Sequence, residues 1–112
     1  MLNNEFPPLG GGTGTVNQAI LRRLSGVEGL EIDLLTSALG RRPEEEHWAE
    51  RIRIFKVPVN NRIIHHSSNR ELLAYGARGF VLARRLHRAQ RYDFCFAWSA
   101  VPAGGMALAL RR

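Results

Sequence analysis

Short apolar runs alternate with longer amphipathic ones along this chain, and that alternation restricts the fold more than any other feature. "LEIDLLTS" (30–37), "RIRIFKVPV" (51–59) and "YDFCFAW" (92–98) each have the length and the branched or aromatic content of a strand. The second alternates at period two and ends at Pro58. A shorter lead, "LNNEF" (2–6), runs into a loop of prolines and glycines. From Thr13 the spacing turns helical: Val16, Ile20, Leu21 and Leu24 fall on one face, Thr13 serves as N-cap, and the glycines of "SGVEG" (25–29) stop the helix. The longest helix is predicted over 69–90, capped by Ser68 or Asn69, with Leu72, Tyr75, Gly79, Leu82, Ala83 and Leu86 as its buried stripe. Another helix opens after Pro102. Residues 38–50, with Pro43 and the run Glu44 to Glu46, read as a polar loop or short surface helix, and 60–68 as a loop.

Strands alternating with helices of this length predict an α/β domain, a Rossmann-like parallel sheet with helices on both faces. Right-handed crossovers favour about four strands in the order 3-2-1-4, one incomplete half of a doubly wound fold. Ligands of such sheets sit beyond the carboxyl ends of the strands, which directs attention to loops 6–13, 37–50 and 98–104. The first strand has almost no lead-in, and the last helix stops at Arg112 without a cap. Residues 1–112 are therefore expected to be a truncated domain, a fragment with one sheet edge bare.

A chain of 112 residues, 45% hydrophobic and 23% charged, suits one globular domain. It contains no uninterrupted apolar run of the roughly 18 residues that a membrane span needs. Its N-terminus lacks the pattern of a secretory signal. The single cysteine, Cys95, excludes an internal disulfide and points to a reducing cytoplasm; its place in "FCFAW" reads as an inert core thiol. The net charge of +6 rests almost wholly on arginine, Lys56 being the only lysine. Such a charge admits nucleic acid, anionic lipid or phosphorylated substrates as partners, and it follows equally from a GC-rich codon bias.

The glycine loop "PPLGGGTG" admits two readings. It is either a tight turn or a place where a ligand must come close to main-chain amides at a helix N-terminus. It is not a full dinucleotide fingerprint. Gly10 and Gly12 fit, but the third position holds Thr15, and the only acid of the second strand, Asp33, comes too early. No Gly-Lys-Ser/Thr follows, which excludes a P-loop. His65 and His66 are adjacent in a loop, without the spacing of a metal pair, and His87 reads as solvated. No acid pair, nucleophilic triad or metal set is visible, and nothing here supplies a complete catalytic apparatus. Arg70, Arg78, Arg84, Arg85, Arg88 and Arg91 gather on the outer arc of the long helix, with Leu73, Phe80 and Val81 among them. Without interleaved aromatics or a nucleic-acid motif, this arc reads as a solvated face or as a surface for anionic lipid. The three arginines 84, 85 and 88 are the membrane-facing candidates.

Taken in order, "NNEFPPLGGGTG", "LEIDLLTS", "HHSSNRELLAY" and "YDFCFAWSAVPAG" resemble the family-4, GT-B type retaining glycosyltransferases, whose first loop runs Pro-Pro-x-x-Gly-Gly. The resemblance spans essentially the whole chain. It implies the acceptor-side half of a two-domain enzyme that moves a sugar from a nucleotide-sugar donor to a sugar or lipid-linked acceptor, with the nucleotide sugar as substrate and no metal. Gly10, Gly11, Gly12 and Thr13 would face the donor phosphates or sugar, and Trp98, Ser99, Pro102 and Gly104 would line the acceptor cleft. Cytoplasmic location, peripheral on the inner face of the membrane, is also implied. The family's catalytic-loop histidine and its C-terminal nucleotide-sugar domain have no counterpart in residues 1–112, so this fragment alone is expected to be inactive. The alternative is a non-catalytic basic module that binds anionic lipid or nucleic acid.

Overall fold

The computed structural model describes residues 1–9, 11–60 and 68–111. Its elements are α1 (Gly12–Leu24), β1 (Ile32–Ala38), β2 (Glu44–Ala49), β3 (Ile52–Pro58), α2 (Asn69–Gln90) and α3 (Gly105–Leu110), the last preceded by a wide helical turn at Ala100–Gly104. β1 and β3 pair in parallel, from Ile32 opposite Ile52 to Ala38 opposite Pro58. β2 lies antiparallel on the far side of β3, giving the order β1-β3-β2.

The expectation of about four parallel strands in the order 3-2-1-4 is thus corrected. Among the described residues the sheet has three strands and is mixed. Parallel neighbours usually need a crossover helix. Here the return path is itself a strand, because residues 39–51 run back in the plane of the sheet and turn at Glu50 and Arg51 into β3. β2 lies where the sequence predicts a loop or short helix, because neither of its faces is well covered. Glu44, Glu45, Glu46 and His47 are all exposed, so no apolar alternation marks the strand. Charges of this kind also protect a free sheet edge from pairing with other chains.

The expected first and last strands contract to single bridges. Leu2 pairs in parallel with Leu35 on one side and with Ala97 on the other. Its N–H donates to the Phe96 carbonyl at 2.8 Å, and its carbonyl accepts from the Trp98 N–H at 3.0 Å. Pro7 and Pro8 lack the N–H a longer ladder would use.

Alternation along β1 and β3 divides the core in two. On one side Leu34, Ile52 and Ile54 pack with Phe6 and with Leu21 of α1. On the other, Leu35, Phe55 and Val57 pack with Leu2, with Tyr75 and Ala83 of α2, and with Met106 of α3. α1 is rotated from the expected face: Gly14, Asn17 and Leu21 are buried, while Val16 is half exposed. Gly14 explains the rotation. A Cβ there would stand 3.2–3.3 Å from main-chain atoms of Glu5 and Phe6, so only glycine lets the helix come this close.

α2 holds the expected stripe, with Tyr75, Gly79 and Ala83 buried. Ser68 closes it with a capping box, its hydroxyl accepting from the Glu71 N–H while the Glu71 carboxylate accepts from the Ser68 N–H. Gly76 and Gly79 open a groove in which Pro102 and Met106 lie 3.3 and 3.0 Å from where a Cβ would be. The loop expected at 60–68, with His65 and His66, lies outside the described residues up to Ser68. Cys95 is exposed rather than in the core. No helix among the described residues is long and apolar enough to cross a membrane.

The Tyr75 hydroxyl donates to the Leu35 carbonyl at 2.7 Å inside this core. Burial raises its phenol well above the ordinary value. The native state therefore keeps a proton that the unfolded chain releases near pH 10, and stability present below that pH is lost above it. In Tyr75→Phe, chemical denaturation should show a loss of about 1 kcal/mol at neutral pH. The decline above pH 10 should lose one group's share, about 1.4 kcal/mol per pH unit. An unaltered alkaline slope would exclude the Tyr75 phenol as its source.

Candidate ligand-binding face

The parallel register of Leu2, Leu35 and Ala97 sends the segments that follow them to one end of the sheet. That end gathers the glycine loop, the β1–β2 connection and residues 98–104. Gly11 and Gly12 open α1 there, both exposed, with Gly11 as N-cap and no side chain of its own to close the helix. Neither glycine has a positive φ, and a Cβ on either would meet nothing within 4 Å. Internal packing does not require glycine at these positions, and neither does a left-handed turn. Gly10 lies outside the described residues.

The carboxylate of Glu5 bends over this helix start. Its Oε2 accepts from the Gly11 N–H at 3.2 Å and from the Thr13 hydroxyl at 2.5 Å. The orphan donors of a helix N-terminus attract negative charge, and the chain supplies it from within. Glu5 escaped the sequence reading because the contact joins two ends of a loop. The only signal was an acid preceding the prolines.

Beneath the loop lies a polar layer. Asn3 is buried next to Leu2, and its Oδ1 accepts from the Glu5 N–H at 3.0 Å. The pairing of Leu2 with Leu35 places Thr36 beside Asn3 in the adjoining strand. Asn3 Nδ2, Thr36 Oγ1 and both side-chain polar atoms of Asn17 are buried without a hydrogen-bond partner. Buried polar atoms of this kind are few in native proteins; Arg51 Nε and Trp98 Nε1 are two more, away from this loop.

The other expected contacts are distributed differently. Pro102 packs on Gly76, and the Gly104 N–H donates to the Ser99 carbonyl at 2.7 Å, so both hold the turn after residue 99. Trp98 packs edge-on against Phe96, with ring centroids 5.4 Å apart, and faces a groove of about 490 Å³ alongside Ile20 and Leu24 of α1. Arg84, Arg85 and Arg88 are exposed on α2, far around the helix from its buried stripe. No group of three or more His, Cys, Asp or Glu among the described residues could hold a metal.

A second polar cluster occupies the opposite end of the sheet, where β1 begins. Asp33 accepts from Arg53 twice, at 2.8 and 3.0 Å, and from the Tyr92 hydroxyl. Arg53 in turn lies over the Phe55 ring, 5.1 Å from its centroid, and Tyr92 stacks on His87. The bond to Asp33 raises the Arg53 pKa, and burial followed by the same carboxylate raises that of Tyr92. A cavity of about 590 Å³ adjoins this cluster, walled by Leu2, Leu35, Phe55 and Leu86. Asp33 is thus a tether for β3 and Tyr92.

Comparison of the chain with protein-family models, with curated proteins and with solved structures found no match.

Removing the Asp33 carboxylate breaks its bonds to both Arg53 and Tyr92, and Arg53 is partly open to water, which softens the loss. Asp33→Ala should cost about 2 kcal/mol by chemical denaturation, and Arg53→Met less than half of that. Equal costs would show that the ion pair, not the carboxylate's joint hold on both partners, is what matters.

Proposed function

We propose that the chain forms the acceptor-side part of a glycosyltransferase, acting with a donor-binding domain outside residues 1–112 to move a sugar from a nucleotide sugar to an acceptor. The observation that carries this reading is the main chain of Gly11 and Gly12. It is exposed at a helix start, with no internal packing or turn that demands glycine. A sugar nucleotide that displaced the Glu5 carboxylate from the Gly11 N–H would find main chain with no Cβ in the way. The ordered resemblance of the loop and strand sequences adds to that support.

In ¹⁵N-labelled protein, a panel of uridine and guanosine diphosphate sugars should shift the amide signals of Gly11, Gly12 and Thr13. Replacing Gly11→Val and Gly12→Val together should weaken the best of these ligands at least about tenfold by removing close main-chain approach, with the melting temperature preserved. Unmoved signals across the whole panel would overturn the reading.

The outer face of α2 favours a second activity of the same chain, at an anionic lipid surface. Arg84, Arg85 and Arg88 are exposed there together with Leu73, 74% exposed, and Val81, 59% exposed. At helical spacing these five share one arc, which would let two apolar side chains dip below a ring of cations. Charge reversal of the three arginines to glutamate should lower binding to phosphatidylserine vesicles about hundredfold or more, at about 1 kcal/mol for each basic residue lost. Equal binding by the variant in a flotation assay would leave this arc a solvated surface.

A further inference from the structure

Residues 1–3 form a short ladder in which successive residues bond to opposite neighbours. The Met1 amine donates to the Asp33 carbonyl at 2.9 Å, and the Met1 carbonyl accepts from the Leu35 N–H at 3.0 Å. Leu2 turns the other way, to Phe96 and Trp98, and the Asn3 N–H returns to the Leu35 carbonyl at 3.2 Å. These residues make one parallel strand, held between β1 and residues 96–98. Both neighbours run on past it toward their own starts.

Two cavities open along the line on which that strand would continue. The one of about 590 Å³ lies on the α2 and α3 side and reaches Leu35, Phe55 and Cys95. The one of about 490 Å³ lies on the α1 side and reaches Ile20, Ile32, Phe96 and Trp98. Met1, Asp33, Tyr92, Asp93 and Phe94 border both, so the two meet between β1 and residues 92–96. Space on both faces of one line has the form of an unfilled strand, whose successive side chains point to opposite faces. Ladder alternation assigns the places. A residue immediately ahead of Met1 falls between Asp33 and Cys95, with its carbonyl at the Phe96 N–H and its N–H at the Phe94 carbonyl. The residue before that falls on the α1 side, with its carbonyl at the Asp33 N–H. The flanking segment is apolar and uncovered: Phe94 is 74% exposed, Phe96 49%, and Cys95 is exposed between them.

We infer that this gap is the seat of a further parallel strand, an apolar segment of about four residues joined in line ahead of Met1. Its continuity with the ladder of residues 1–3 identifies the occupant. A strand on a separate chain would end against the Met1 amine, which is already bonded to the Asp33 carbonyl. Burial lowers the pKa of that amine because its charge is desolvated, and a peptide N–H in its place keeps the bond without the charge. The added strand has a cavity to fill on each face, so apolar residues belong at every position rather than at alternate ones. This seat is independent of what the glycine loop binds.

The test compares the 112-residue chain with versions that carry Val-Ile-Val-Ile, Ser-Asn-Ser-Asn or Val-Ile-Val-Pro ahead of Met1. Hydrogen exchange of the Asp33 and Phe96 amides and the reaction of Cys95 with a thiol reagent are followed in each. The apolar extension should slow both about tenfold or more and raise the melting temperature. The polar extension should leave them as they are in the original chain. Proline immediately ahead of Met1 has no N–H for the Phe94 carbonyl and should forfeit most of the protection. Free Val-Ile-Val-Ile peptide should protect neither the amides nor the thiol. If the joined apolar segment leaves them unprotected, or drives the chain to self-associate, the gap is no seat for a strand. Equal protection by the free peptide would overturn the joined segment as its occupant.

Discussion

The parallel pairing of β1 with β3 is the contact on which the rest of this structure depends. It places Leu34, Ile52 and Ile54 on one face and Leu35, Phe55 and Val57 on the other, and each set recruits its own helices. Both faces of β1 are covered, so Leu34 to Ala38 are all buried, Thr36 and Ser37 included, and no solvent side is marked along the strand. The same pairing sets the polarity of the molecule. Segments leaving Leu2, β1 and Ala97 emerge at one end, and Asp33, Arg53 and Tyr92 close the other.

The two ends are built on different physics. At the start of β1 a carboxylate is consumed by three donors, so its charge is spent on structure. At the glycine end a carboxylate rests on one amide and one hydroxyl in an exposed place. Stability favours the first arrangement and recognition the second, because groups left unsatisfied in the free protein are those that a ligand can satisfy.

Part of the architecture is legible in the sequence. The apolar runs at 30–37 and 51–59, the helix at 69–90 with its cap at Ser68, and the glycine loop before α1 all follow from local periodicity and turn chemistry. The errors share one cause. β2 shows no alternation because water touches most of it, and the segments 2–6 and 92–98 have strand composition but form only single bridges. Composition reports what a segment tolerates; pairing depends on whether a neighbour arrives alongside it.

By itself the sequence determined the buried strands within 30–37 and 51–59, the start of the long helix at Ser68, and that glycines crowd one helix entrance, since each of these is a short-range property of the chain. Tertiary structure alone decided the order β1-β3-β2, the rotation of α1 about Gly14, the tethering of Asp33 to Arg53 and Tyr92, and the folding of Glu5 onto the amide of Gly11. The physical reason is that these are contacts between segments whose partners are set by packing of the whole chain, and no local pattern encodes the identity of a distant neighbour.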